Sequence, residues 1–265
     1  MQSGSTGPSD LIQSVSRAFR VLEEVGSAPD GLNAKQVARR CGLSLSTTYH
    51  LVRTLCYEGY LSRRPQGVYL LGYEIAGRFR DLVQTLRQPP QVRAVLSHLA
   101  LATGHSIYYS RMMGGRVVIT EVVEAPRSPH LEDLVVGFSE AAHATALGKA
   151  LLSTMPPDQR SAYLREQGVR AWTPRTVTGI DELDAELRIA AGIQLFVEEG
   201  QFRNEVSCAA VLVRDPAGTG SMGAIAFSAS SSRFLALRDR LARELRLAAT
   251  DLGKLEADSA PARSC

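Results

Sequence analysis

Asn33-Ala-Lys-Gln-Val-Ala-Arg-Arg-Cys41-Gly42-Leu43-Ser44-Leu-Ser46-Thr-Thr-Tyr-His50-Leu-Val-Arg53-Thr-Leu-Cys-Tyr57 is the stretch on which the fold of this 265-residue chain turns. Asn33 is a good N-cap, and Ala34, Val37, Ala38 and Cys41 follow at the three- and four-residue steps of one helical face. Gly42 stops that helix, because glycine adopts the left-handed C-cap conformation at little cost. Leu43 restores an apolar anchor, and Ser44 or Ser46 can cap a second helix running to about Tyr57. In it Leu51, Val52, Leu55 and Cys56 form the buried side, while Ser46, Thr47, His50, Arg53 and Thr54 point away. Short hydrogen-bonding side chains on an exposed helix face suit the major groove of DNA, where base edges offer donors and acceptors.

Upstream, Ser14 to Val25 reads as a helix with Val15, Ala18, Phe19, Leu22 and Val25 as its apolar stripe, so three helices can share one small core. Downstream, Tyr60-Leu-Ser-Arg-Arg-Pro-Gln-Gly-Val-Tyr-Leu-Leu71 has two apolar runs around a Pro-Gln-Gly turn, a hairpin signal with Arg63 and Arg64 near its tip. A helix-turn-helix followed by such a hairpin is the winged form of the motif. Charge agrees with this placement. The whole chain carries 30 basic and 27 acidic residues, a net charge of only +3. From Lys35 to Arg64 there are six basic residues (Lys35, Arg39, Arg40, Arg53, Arg63, Arg64) against Glu58 alone, so 6 − 1 = +5. The positive surplus is local to the expected reading surface.

The remaining residues bound the class. Length suits two domains, and no apolar run is long enough to span a membrane. The N-terminal Met1 to Pro8 stretch lacks the basic and apolar regions of a secretion signal and reads as a flexible arm, and Asp258 to Cys265 reads as a frayed tail. Cys41, Cys56, Cys208 and Cys265 lack paired spacing, as expected of a reduced, cytoplasmic protein. Tyr73 to Leu86 has helical spacing and ends before Pro89-Pro90. Beyond it the pattern predicts helices at Gln91–Ala102, Ala144–Ser153, Pro157–Gln167, Ile180–Ala191 and Ser232–Ala257. Strands are expected at Ser106–Met112, Arg116–Val123, Ile193–Glu198, Val206–Arg214 and Met222–Ala229, the first two joined through Gly114-Gly115. Antiparallel strands with helices on one side suggest an α+β sensory domain.

Catalytic constellations are hard to find. His143-Ala-Thr-Ala-Leu-Gly-Lys-Ala150 lacks the first glycine and the final hydroxyl of a phosphate loop. His98, His105, His130 and His143 show no ligand spacing, so neither a metal nor a cofactor is expected. A Cys208 nucleophile with His143 as base, or a metal held by Cys208 and a histidine, is conceivable, but a lone cysteine in an apolar strand usually packs. The strands around Glu198, Cys208 and Ser228 can face one mostly apolar cavity, closed by the start of the His143 helix. Amides near Thr145 to Gly148 can hold a carboxylate there if a helix begins at that point. Equally, Ser228 can serve only a neighbouring backbone group and Glu198 can sit in solvent.

Four ordered stretches carry a resemblance: Gly42 to Leu55, Gly67 to Gly72, His143 to Leu152, and Glu198-Glu-Gly-Gln-Phe with Val206-Ser-Cys-Ala-Ala-Val211. On these the chain, from about Gln13 to Ala257, resembles the IclR family of bacterial transcription regulators. The resemblance implies a winged helix-turn-helix (10–72), a linker helix (73–88) and a GAF-like domain for effector binding and oligomerisation (89–257). It implies a homodimer or dimer of dimers on a palindromic double-stranded operator, responding to a small organic acid or aromatic metabolite, while the missing catalytic constellation argues against an enzyme. DNA contacts are expected from Ser44, Ser46, Thr47, Tyr49, His50, Arg53, Arg63 and Arg64. Effector contacts are expected from Ala146, Leu147, Glu198, Cys208 and Ser228. Two departures stand out. His50 and Leu45 occupy places where the family commonly has cations, which shifts the expected binding toward Arg53 and the hairpin arginines. Ala226-Phe-Ser228 keeps one of two usual serines, with Phe227 expected on the opposite strand face. Competing readings are a constitutive DNA-binding protein whose second domain only oligomerises, and an enzyme with a docking head.

Overall fold

Local capping builds the first unit of the structure. The computed structural model describes residues 10–86, 88–217 and 220–259. The arm expected at 1–8 and nearly all of the tail expected at 258–265 lie outside them. The chain divides into two units, residues 1–84 and 85–265. Unit one contains α1 (Gln13–Gly26), β1 (Leu32–Asn33), α2 (Ala34–Cys41), α3 (Leu45–Tyr57), β2 (Leu61–Arg63) and β3 (Val68–Leu71). It also holds most of α4 (Tyr73–Leu86), within which the division falls. Asn33 opens α2 with a reciprocal capping box: its Oδ1 accepts from the Gln36 amide at 3.0 Å, and its own amide donates to Gln36 Oε1 at 2.8 Å. Gly42 closes α2 at φ 65°, and the Leu43 amide returns to the Ala38 carbonyl at 2.9 Å. Val21, Val25, Val37, Cys41, Val52, Leu55 and Tyr69 meet in one core.

Two expectations change here. The hairpin β2–β3 gains a third strand, because β1 pairs antiparallel with β3 through Leu32 and Tyr69. Two residues are too few to show a strand period. On α1, burial begins at Val21, while Val15 and Phe19 of the expected stripe are exposed, Phe19 at 61%. Among the described residues α1 packs into the core of its unit from Ala18 onward, through Ala18, Val21, Leu22 and Val25.

Unit two is built on a five-stranded antiparallel sheet in the order β5-β4-β8-β7-β6. Its elements are α5 (Pro90–Thr103), β4 (Ile107–Met113), β5 (Arg116–Val123), α6 (Ala146–Leu152), α7 (Pro157–Gln167), α8 (Ile180–Ile193), β6 (Phe196–Glu199), β7 (Val206–Arg214), β8 (Ser221–Ser230) and α9 (Ser231–Ser259). Helices cover both faces rather than one. One core joins Leu147 and Leu151 of α6 with Leu164 of α7 and Leu183 of α8; the other joins Leu96 of α5 with Phe234 and Leu245 of α9. The physical reason is visible in β7 and β8, whose runs Cys208-Ala-Ala-Val and Ala224-Ile-Ala-Phe are apolar at successive positions and buried on both sides. Ile193 closes α8 instead of opening a strand. Gln194 caps that helix at φ 52°, a left-handed conformation taken here without glycine.

Candidate nucleic-acid interface and effector cavity

Ser44 fixes the start of α3. Its hydroxyl accepts from the Thr47 amide at 3.1 Å and lies 2.8 Å from the Thr47 hydroxyl. These two residues therefore support the helix end as well as facing outward. Thr48 is buried, donating to the Ser44 carbonyl at 2.9 Å. Ser46, Tyr49, His50 and Arg53 are exposed on α3, and Arg63 and Arg64 are exposed at the β2–β3 turn. The turn closes through hydrogen bonds from the Arg64 amide to the Val68 carbonyl (2.8 Å) and from the Gly67 amide to the Arg64 carbonyl (2.9 Å). The Arg63 guanidinium lies 6.0 Å from the centre of the Tyr69 ring. Among the described residues no ion pair occupies Lys35, Arg39, Arg53, Arg63 or Arg64, whereas Arg40 lies 3.7 Å from Glu24. Free, exposed cations around a hydroxyl-bearing helix face are the electrostatic footprint of a phosphate backbone.

In unit two, register brings the expected strand residues into a row: Glu198 pairs with Cys208, and Cys208 with Ser228. Ala146, Leu147, Glu198 and Cys208 all line one cavity, walled mainly by apolar side chains such as Ile119, Leu131, Phe138 and Phe202. The cavity volume is about 20 Å³, room for one water molecule. Ser228 does not line it. Its hydroxyl donates to the Tyr108 hydroxyl at 3.5 Å, and Tyr108 is the side chain at the cavity wall. Phe227 packs in the opposite core, as strand alternation predicts. Thr145 caps α6, accepting from the Gly148 amide at 3.2 Å. Gly148 is needed for close approach, since a Cβ there would sit 2.1 Å from the Ala142 carbonyl oxygen.

Glu198 is buried, and desolvation pushes its carboxyl up to about 7 against the opposing hydrogen bonds from Cys208 and the Gln201 and Phe202 amides. Burial, reinforced by Glu198, holds the Cys208 thiol well above its ordinary value. That is the reverse of what a nucleophile requires. His143 does not serve Cys208: its Nε2 bonds the Arg170 carbonyl at 2.8 Å, and burial lowers its pKa. Among the described residues no group of three or more histidine, cysteine or carboxylate side chains has metal-binding geometry.

Sequence reasoning missed four residues at or near this cavity. Lys149 is 1% exposed, with Nζ 2.5 Å from Glu186 Oε1 and 2.7 Å from Gln201 Oε1. Burial lowers its pKa, while Glu186 opposes that shift. Lys149 lay within the quoted 143–152 motif, where an otherwise apolar helix signals a buried, paired cation. Tyr108 and Ser110 share a face of β4 by alternation, a signal available in the sequence, although its direction was not. Arg203 also reaches the wall, pairing with Asp133 and stacking 4.7 Å from the Phe202 ring centre.

Comparison with known proteins covers both units. Residues 14–65 match the IclR helix-turn-helix domain, and residues 86–254 match the bacterial transcriptional regulator IclR C-terminal domain. The chain is similar to the HTH-type transcriptional regulator XynR of Escherichia coli, 26% identical over 204 residues, covering 77% of this chain and 81% of the relative. It is also similar to the probable transcriptional regulator SauR of Cupriavidus necator, 30% identical over 177 residues, covering 64% and 68%. In fold it resembles an IclR homolog from Microbacterium hydrocarbonoxydans complexed with 4-hydroxybenzoate, with a TM-score of 0.70, 20% identity, and 93% and 100% of the two chains covered.

Proposed function

Because the chain belongs to the IclR family and is a DNA-binding transcriptional regulator, we propose that its operator affinity is controlled by a small organic molecule held in the cavity beside α6. The observation that carries this reading is the convergence of Ala146, Leu147, Glu198 and Cys208, from three separate elements, on one largely apolar cavity. In this reading residues 10–72 form the reading head, 73–88 the linker, of which α4 supplies the helix to Leu86, and 89–257 the effector and oligomerisation domain. Ser46, Thr47, Tyr49, His50 and Arg53 face the bases, and Arg63 and Arg64 hold the backbone. Ser44 acts through the helix cap.

The fold likeness to a protein complexed with 4-hydroxybenzoate supports an aromatic acid as the first ligand to try. A cavity of about 20 Å³ is too small for such a ring, so binding requires the wall to yield, and in this reading the 131–138 segment is the part that moves. That segment is joined to β5 by two hydrogen bonds, Ile119 amide to Phe138 carbonyl at 3.0 Å and Gly137 amide to Ile119 carbonyl at 2.8 Å. A ligand that moves it gains differential affinity for two arrangements of the domain, which is what control of DNA binding demands. The proposed assembly is a homodimer or a dimer of dimers on a palindromic operator. Ile12, Val15 and Phe19 support it, since they expose apolar surface on one side of α1.

Non-enzymatic action is part of the proposal, on the ground that Cys208 is held as a buried thiol. Fluorescence anisotropy with DNA flanking the gene, with and without aromatic acids, tests the whole reading. A site-specific complex whose affinity shifts with a ligand is expected. Specific DNA binding indifferent to every small molecule tried, with no ligand-induced rise in Tm, would leave a constitutive regulator instead.

A further inference from the structure

Ser110 on β4 is 0% exposed and lines the cavity, yet its hydroxyl has no hydrogen-bond partner among the described residues. Among the described residues the other fully buried polar side chains at the wall are engaged, and so is the half-buried Thr145. Glu198 takes the Gln201 and Phe202 amides and Cys208; Thr145 caps α6; the Tyr108 hydroxyl meets Ser228. Arg203 is paired with Asp133. An unpaired buried hydroxyl is costly in a folded protein and calls for a partner.

Resting on the effector reading above, we propose that Ser110 is a specificity-determining residue that contacts the ligand and selects molecules presenting a neutral hydrogen-bonding group at the β4 end of the cavity. The chemistry of the surroundings sets the class. Val117, Ile119, Leu131 and Leu134 wall the cavity along with Ser110, and Arg203, the cation at the wall among the described residues, is already paired with Asp133. A carboxylate placed on Ser110 would be desolvated without a counter-charge, a far larger penalty than one hydroxyl offsets. A phenol, alcohol or ketone oxygen exchanges one hydrogen bond for another there. Any acidic group of the same ligand therefore lies away from Ser110.

The test uses matched pairs of ligands, 4-hydroxybenzoate with benzoate and 4-methylphenol with toluene, titrated calorimetrically into the full-length wild type and Ser110→Ala. The wild type is expected to favour the hydroxylated member of a pair by about 3- to 10-fold, the worth of one neutral hydrogen bond. Ser110→Ala should erase that preference while leaving Tm unchanged or slightly raised, because it removes an unpaired polar group. Ser110→Cys, a second variant of similar size with a weaker donor, should fall between them. A preference that survives in Ser110→Ala overturns the role of Ser110, as a trapped water alone would give, and leaves the effector reading intact. A drop of several degrees in Tm on removing the hydroxyl also overturns it, by revealing a structural partner. If neither pair binds the wild type, the aromatic-effector reading and this inference fall together.

Discussion

The face of α3 and the cavity beside α6 solve opposite problems with polar side chains. On α3, Ser46, His50 and Arg53 stand in solvent and have little to do with holding the fold. Around the cavity, Lys149, Glu198 and Thr145 are buried or half-buried and bonded to their neighbours. The first region can change what it recognises with little effect on stability. In the second, these bonded groups serve both recognition and folding, so substituting them, unlike the unpartnered Ser110, carries a thermodynamic penalty before any ligand is considered.

That contrast can be broken most forcefully at Lys149. Replacing it with alanine empties a fully buried site and leaves the half-buried Glu186 without its cation, which is expected to cost about 2 to 5 kcal/mol in urea unfolding. A loss below about 1 kcal/mol would mean that the cluster is not structural. Glu198 sharpens the same point through pH. Its folded-state pKa, about 7, lies above the ordinary 4.5, so the folded state holds the proton more tightly. The associated stability is fully present below pH 4.5 and is lost as pH rises through 7. Relative to Glu198→Gln, the wild type should thus lose up to about 3 kcal/mol across that window, read from unfolding midpoints at a series of pH values. Parallel curves would show that Glu198 titrates normally.

On the DNA side the expected stability changes are small. Arg53→Ala should weaken operator binding by about 1 to 3 kcal/mol if it reads a base, with Tm nearly constant. Arg63→Ala and Arg64→Ala should each lower the salt slope of binding by about one unit. An unchanged slope in both would exclude a backbone contact by the hairpin. Phe19→Asp should shift the sedimentation profile toward a smaller species without unfolding unit one, because Phe19 is exposed in the chain.

Much of unit one was legible residue by residue. Asn33, Gly42 and Ser44 act on backbone groups within three or four positions, and such caps read the same in a sequence as in a fold. β1 escaped notice because its meaning comes from Tyr69, 37 positions from Leu32. The extent of the α1 stripe escaped for a related reason: helical spacing shows which side is apolar, not where neighbours stop covering it. In unit two the strands of residues 106 to 123 and 206 to 229 were recognisable from their apolar runs, and Glu198 and Cys208 from the family resemblance. The family resemblance puts Ser228 at the cavity, and register does set it opposite Cys208. Tyr108, reaching across from β4, decided that Ser228 would not line the wall.

By itself, then, the sequence determined what depends on near neighbours: the helix-turn-helix and its basic hairpin, the alternation of β4, β7 and β8, and family membership. Tertiary structure alone decided that helices flank both sheet faces, that Lys149 is buried against Glu186, and that Ser110 faces a cavity without a partner. Caps and turns are closed by atoms a few bonds away along the chain. Burial, pKa and an unmet hydrogen bond depend on which distant strand or helix arrives beside a group, and that is set by packing the whole domain at once.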